Sequence, residues 1–253
     1  MKFKIFGIVL LLMVLSSCVS QKEILYLQDV DEYDNSTLVY QQINIQPNDI
    51  LKITVGSLIP ETAIPYNKSA IGSTQSSIEL MQMEGYLVSF ESTIVFPVLG
   101  HVSVKDKTTS QLEVFLIKRL KEDGHLVDPS VTIRILNAKV TILGEVNKPG
   151  TYSFTEESIT VLQALGYAGD LTIRGVREDV IIMREVGGIR NIKHIDLTSA
   201  NWLESPYYFI KPNDVIIINP NNPKVKTAGF IGDIGTLLGV TAIILSSIIL
   251  LTN

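Results

Sequence analysis

The feature that most constrains the fold of this chain is the concentration of apolar residues at its two ends. Residues 5–15 form an apolar run, and residues 234–253 contain no charged side chain. The polar middle of the 253-residue chain must therefore supply the folded core, and its length suits one large domain or two small ones. The formal net charge of −5 argues against nucleic acid as a partner, because phosphate binding needs an excess of lysine and arginine.

The amino terminus has the pattern of a secretory signal. Two lysines precede the apolar run, which is too short to cross a bilayer of roughly 30 Å comfortably, and two serines then lead to Cys18. This pattern resembles the lipobox of bacterial lipoproteins, which implies a signal peptide over 1–17 and lipid attachment at Cys18. By the same resemblance, Val19 in place of aspartate favours the outer membrane. The alternative is an ordinary cleaved signal with an incidental cysteine.

The first half of the polar middle is predicted to contain a tether and a small α+β unit. We predict a lipidated tether over 18–42 and then a strand, a turn and a strand within 43–55, because Pro47-Asn48-Asp49 has turn chemistry. Residues 56–85 are rich in Ser, Thr and Gln, which predicts an excursion loop. A helix follows over 108–120, and Thr108 with Gln111 and Ser110 with Glu113 both have the spacing of a capping box.

The second half of the middle has a β-grasp-like pattern over residues 137–220. It begins with a strand at 140–143, and a helix starts near Ser158 or Thr160 and stops around Gly169. A hairpin through Gly187-Gly188 and a buried strand at 215–218 complete it.

Two short stretches of the first unit recur in the second. The residues 45–53 match 210–218, with Pro-Asn-Asp in both, and 98–102 match 142–146 around a glycine. These matches indicate either a duplicated plan or convergent turn-and-strand chemistry. Under both interpretations they are scaffold features.

The order of these segments resembles the polysaccharide export outer-membrane lipoproteins, the Wza-like proteins of capsule and exopolysaccharide secretion. The resembling stretches are Pro47–Ile53, Phe96–Val102, Thr108–Leu120, Asp128–Val131, Gly144–Gly150 and Gln163–Gly169. The resemblance implies an α+β fold with an export domain over 43–136 and one SLBB-like (soluble-ligand-binding β-grasp) domain over 137–220. It further implies a ring-shaped homo-oligomer, an octamer being one candidate, that passes polysaccharide through the outer membrane. The implied partner is an inner-membrane polysaccharide co-polymerase.

Residues 229–253 are predicted to form a membrane-spanning helix, since residues 234–253 would extend about 30 Å. Small residues recur along one face of this helix at spacings of three and four: Gly232, Gly235, Gly239, Ala242 and Ser246. Such a stripe permits close helix approach in lipid, so we predict that several copies form a helical barrel. The alternative is a tail anchor in the inner membrane, against which Lys224 and Lys226 argue mildly.

No catalytic, cofactor or metal site is predicted. The three histidines are far apart in the sequence, and Glu156-Glu157 lies just before a helix, where it favours the positive end of the helix dipole. Candidates for sugar contact, or for packing in cores and between subunits, are Tyr152, Tyr167, Trp202, Tyr207 and Tyr208. A lipoprotein that binds sugar or scaffolds an export complex without forming a pore is the alternative function, and an envelope hydrolase is disfavoured.

Overall fold

The computed structural model describes residues 21–33, 37–38, 40, 42–68, 78–221, 235, 238–243 and 246. Cys18, Gly232 and the predicted signal peptide over 1–17 lie outside this part of the chain. The described middle is a mixed α/β structure with several sheets and few helices, as the sequence predicted.

The first module is built on a three-stranded antiparallel sheet with strand order β2-β1-β5. Its strands are β1 (Ile50–Gly56), β2 (Tyr86–Leu87) and β5 (Ser130–Ile135). The side chains of Leu51, Ile53 and Val55 are buried while those of Lys52 and Thr54 are exposed, because alternate residues of a strand face opposite sides of the sheet. The buried face of this sheet forms one wall of the core.

The segment 56–85, which we predicted as an excursion loop, contains two short helices, α1 (Pro60–Ala63) and α2 (Ile78–Glu84). The prediction is therefore wrong in part. Ala63 is buried in the first core, and the Asn67 side chain bonds both the amide and the carbonyl of Val55, which ties the end of α1 to strand β1. The strand predicted at 43–46 is also absent, since this stretch forms only an isolated bridge between Asn44 and Thr108.

Helix α3 (Thr109–Glu122) covers the sheet after the hairpin of β3 (Thr93–Phe96) and β4 (Gly100–Ser103). It buries Leu112, Leu116 and Leu120, which recur every four residues on one face. Of the two capping boxes that the sequence allowed, Thr108 with Gln111 forms. Glu113 instead accepts a hydrogen bond from the Ile133 amide at 2.7 Å and so joins α3 to β5.

The second module contains a five-stranded sheet with strand order β10-β9-β12-β6-β7. The strands are β6 (Lys139–Gly144), β7 (Gly150–Ser153), β9 (Gly175–Val186), β10 (Ile189–Ile195) and β12 (Val215–Pro220). The β12 and β6 strands are parallel and the other pairs are antiparallel. Helix α4 (Val161–Tyr167) lies beside the small pair of β8 (Ile159–Thr160) and β11 (Phe209–Ile210), and Thr160 caps it.

The described residues of the predicted tether lie against the second module. They contain no strand and only two 3-10 turns, Gln21–Glu23 and Val30–Glu32. The Leu27 and Gln28 amides donate to the carbonyls of Leu197 and Thr198 at 3.1 and 2.7 Å. Tyr26 and Leu27 pack against the core of this module.

At the carboxyl terminus, the described residues 235, 238–243 and 246 have helical backbone. Among the residues that the structure describes, no helix has the length and apolar content needed to span a membrane. The predicted membrane helix over 229–253 lies largely outside the described part of the chain.

Candidate functional site

Four of the five residues of the predicted small-residue stripe are described, and all four are helical. They are Gly235, Gly239, Ala242 and Ser246. The Ser246 hydroxyl donates to the Ala242 carbonyl at 2.7 Å, so it is satisfied within its own helix. Apart from its chain neighbours and the backbone of its own helix, no described atom lies within 4 Å of the position where a Cβ on Gly239 would stand. The stripe is therefore open at Gly239 within the described structure.

A cleft of about 380 Å³ lies where the two modules meet, a size typical of small-ligand sites. The first module contributes the start of α3 and the exposed side of β5, and the second contributes the loop at 155–158 and Pro212. The polar residues of its lining are Gln42, Thr108, Thr109, Ser110, Glu113, Thr132, Arg134, Thr155, Glu156, Glu157 and Ser158. The cleft can therefore form hydrogen bonds with a hydroxyl-rich ligand.

The charged residues of the lining are mainly acidic, because it contains three glutamates and one arginine. Glu113 bonds the Ile133 amide, and the Thr155 amide donates to Glu156 at 3.0 Å, so both carboxylates are held in place by backbone. Glu157 is exposed. Glu156-Glu157 thus lines a cleft rather than simply preceding a helix, which the sequence pattern did not predict.

The five aromatic residues singled out from the sequence separate into two groups. Trp202 is 5% exposed, and Tyr152, Tyr207 and Tyr208 are partly buried and pack against the same core. Tyr167 is 40% exposed, and its ring stacks on that of Tyr152 with centroids 6.2 Å apart. Among the five, only Tyr167 is an exposed aromatic residue.

Arg184 and Asp214 form a buried ion pair that the sequence analysis missed. The Arg184 Nε and Nη2 atoms donate to the Asp214 carboxylate at distances from 2.6 to 3.1 Å, and Nη2 also donates to the Phe209 carbonyl. Burial raises the pKa of Asp214, and the Arg184 guanidinium opposes that rise. The sequence did contain an indication of this pair. Arg184 follows Val180 and Ile182 at every second position of β9, which places it on the buried face of the strand.

Asp49 is buried in the corresponding turn of the first module. Its Oδ2 atom accepts a hydrogen bond from the Gln46 amide at 2.8 Å. Burial raises the pKa of Asp49 to about 6, and this hydrogen bond opposes the rise. Within the described part of the chain, no lysine or arginine forms an ion pair with Asp49.

The histidines do not converge in the described structure. His194 Nδ1 lies 2.5 Å from Asp179 Oδ1 on the exposed β9–β10 hairpin, and His125 packs edge-on against Tyr66. Within the described ranges, no group of three or more His, Cys, Asp or Glu side chains is arranged to hold a metal ion.

Both modules match known protein families. Residues 38–136 match the family described as polysaccharide biosynthesis/export protein, and residues 139–191 match the SLBB domain. The chain thus carries an export-family domain followed by an SLBB domain, and the resemblance drawn from its sequence is confirmed.

Two curated relatives carry the same printed name, EPS I polysaccharide export outer membrane protein EpsA. The protein of Ralstonia solanacearum is 25% identical over 209 residues, which are 79% of this chain and 53% of that protein. The protein of Ralstonia nicotianae is 32% identical over 133 residues, which are 50% of this chain and 34% of that protein. The chain therefore spans about half or less of the relatives that it matches.

Proposed function

We propose that this chain is an outer-membrane lipoprotein that forms an oligomeric channel and exports capsular polysaccharide or exopolysaccharide from the periplasm to the cell exterior. The observation that carries the proposal is the export domain followed directly by an SLBB domain. The relatives are named as outer membrane proteins, which supports an outer-membrane location. Cys18 supplies the lipid anchor, and the two modules form a periplasmic body.

The channel part of the proposal depends on the carboxyl-terminal helix. An uncharged segment over 234–253 is long enough to cross a hydrocarbon core as a helix, and helices satisfy their own backbone hydrogen bonds in lipid. The open position at Gly239 supports packing against a second helix of the same kind. Several copies would then surround a pore, as a ring-shaped homo-oligomer for which an octamer is one candidate.

The partners in this proposal are the polysaccharide in transit and an inner-membrane polysaccharide co-polymerase that meets the periplasmic face. The role is transport, with no catalytic step assigned to any residue. The match to an export family supports this assignment.

A second candidate function is a lipoprotein that binds sugar or scaffolds an export complex without forming a pore. The cleft between the modules favours it, because its hydroxyl and carboxylate lining suits sugar hydroxyls. The exposed ring of Tyr167, stacked on Tyr152, provides an aromatic surface of the kind that sugars contact. This function needs neither a ring nor a barrel of helices.

A double substitution in the stripe separates the two functions. Gly239→Leu with Ala242→Leu adds bulk on the stripe, and Val240→Leu with Thr241→Leu adds bulk on other faces of the same helix. We expect the first variant to yield smaller particles in detergent and to lose export, while the control keeps both. The measurements are particle size by light scattering and polysaccharide at the cell surface.

Unchanged rings and full export in the stripe variant would show that the stripe is not the assembly surface. Wild-type particles the size of a single chain would favour the second candidate function.

A further inference from the structure

The parallel strands β6 and β12 give the second module two opposite ends. β6 starts at Lys139, four positions after β5 ends at Ile135, and Pro212 before β12 lines the cleft between the modules. Both strands run away from that cleft, paired from Val215 beside Thr141 to Ile218 beside Gly144. The end reached by Gly144 and Pro220 is therefore remote from the first module, and we call it the distal end.

Two loops, 145–148 and 169–174, cover the distal end and are bonded to each other. The Asn147 amide donates to the Asp170 carbonyl at 3.0 Å, and the Thr172 amide donates to the Glu145 carbonyl at 3.1 Å. The Thr172 hydroxyl also donates to the Glu145 carboxylate at 2.7 Å. The distal surface is thus held by backbone and side-chain bonds.

The amino-terminal segment reaches the module at this distal end. The Tyr26 hydroxyl donates to Asp170 Oδ1 at 2.5 Å, and the Arg177 guanidinium lies 5.2 Å from the centre of the Tyr26 ring. Tyr26 stands eight positions after Cys18. Eight residues span at most about 29 Å, so a lipid on Cys18 holds the distal end close to the membrane.

The carboxyl-terminal segment leaves from the same end. Pro220 of β12 pairs with Gly175, and the Asn221 amide donates to the Arg174 carbonyl at 2.7 Å. The predicted membrane helix begins at residue 229, eight positions beyond Asn221. Both predicted membrane attachments therefore start within about eight residues of one surface of the second module.

The side chains of this surface suit phospholipid headgroups. Ile173 is 66% exposed, its sequence neighbour Arg174 is an exposed cation, and Lys148 is an exposed cation of the other loop. Of the acids in these two loops, Asp170 accepts a hydrogen bond from Tyr26 and Glu145 accepts one from Thr172. An exposed apolar side chain with a cation next to it can insert at a membrane interface, with the cation at the phosphates.

We propose that the distal surface, formed by Lys148, Ile173 and Arg174, rests on the phospholipid headgroups of the membrane that holds Cys18. This inference rests on the proposed function for the lipid anchor alone and does not require a pore. The first module then projects away from that membrane. Its exposed Val127, three positions before β5 begins at Ser130, lies at the end opposite the cleft and stays in water.

The chain has a single cysteine, so an added cysteine is the only free thiol once Cys18 is acylated. The full-length lipidated variants Ile173→Cys and Val127→Cys are labelled with bimane and reconstituted into vesicles of phosphatidylethanolamine and phosphatidylglycerol. The residues are matched, since both are exposed apolar side chains at loops. Quenching is measured with nitroxide-labelled lipid and, separately, with aqueous iodide.

We expect a blue-shifted emission at residue 173, strong quenching by the nitroxide lipid and a loss of iodide quenching relative to residue 127. Equal quenching patterns at the two positions would overturn the proposal. Protection of residue 173 from both quenchers would also overturn it, because that result indicates contact with protein.

A control with the wild-type chain distinguishes a failure of the proposed membrane contact from a failure of the proposed lipid anchor. Bimane labelling of the wild type, with no palmitate incorporation, would show that Cys18 is not acylated, and the lipid-anchor part of the proposed function would fail. A lipidated wild type with an iodide-accessible residue 173 would overturn only the membrane contact.

Discussion

The two Pro-Asn-Asp turns, at 47–49 in the first module and at 212–214 in the second, have the same local structure and different surroundings. Asn48 and Asn213 have φ angles of 70° and 69°, in the left-handed region that asparagine tolerates. Each aspartate accepts a hydrogen bond from the amide three residues earlier, at 2.8 Å in both turns. Sequence similarity therefore predicts the turn itself.

The two aspartates have different side-chain partners in the tertiary structure. Asp214 meets the guanidinium of Arg184 from strand β9, and both side chains are buried. Asp49 is equally buried, with a backbone amide and no ion pair among the described residues. The comparison teaches that one local motif can pair its buried carboxylate with a guanidinium in one module and leave it with a backbone amide in the other.

The largest expected effect is on the ion pair. Asp214→Asn removes the carboxylate and leaves the Arg184 charge buried, which should destabilise the second module by about 3–5 kcal/mol in urea unfolding. The matched control is Asp49→Asn, which leaves no buried cation unpaired. The double variant Arg184→Met with Asp214→Asn should recover much of the loss. Similar destabilisation by the two single variants would contradict the difference between the turns.

A smaller effect is expected from pH. The folded-state pKa of Asp49 is raised from 3.8 to about 6, so its protonated form adds stability below about pH 4 that is lost as the pH rises through about 6. Asp49→Asn cannot ionise and keeps an acceptor oxygen. The variant should exceed wild type by on the order of 2 kcal/mol at about pH 7.5 and match it at about pH 4. The measurement is the urea midpoint of the first module against pH, and parallel wild-type and variant profiles would refute the prediction.

The smallest effect should be the same in both modules. Asn48→Ala and Asn213→Ala place an alanine at a positive φ angle, which should cost about 1 kcal/mol each. Asn→Gly at either position should cost little, since glycine adopts this φ freely. Thermal unfolding of the four variants tests this. A large difference between the two alanine variants would show that tertiary contacts, and not the turn, decide the cost.

The second repeated stretch shows where sequence similarity stops predicting structure. Gly100 starts β4, and a Cβ at this position would point into open space. Gly144 ends β6, and a Cβ there would lie 1.9 Å from the Ile218 carbonyl oxygen. Both glycines have positive φ, so the local preference is shared. The close approach of β12 to Gly144 depends on parallel pairing between strands far apart in the sequence, which no local pattern contains.

The strongest local sequence signals predicted the turn and the helix start correctly. The hairpin through Gly187-Gly188 and the capping box of α3 are both confirmed. The short helices within 56–85 escaped prediction because they are four and seven residues long, too short to show a helical period in the sequence. The cleft escaped for a different reason, since its lining comes from five separate stretches that only the packing of the modules brings together.

The sequence by itself determined the features that depend on neighbouring residues: the turns, the helix caps, the strand alternation and the apolar ends. These follow from backbone dihedral preferences and side-chain spacing, which act within a few residues. The tertiary structure alone decided that Arg184 pairs with Asp214, that the amino-terminal segment docks through Tyr26, and that Tyr26 and Asn221 both form hydrogen bonds at the distal end. Those contacts join residues that are at least 30 positions apart in the sequence. Their energies depend on burial that exists only once the modules have packed.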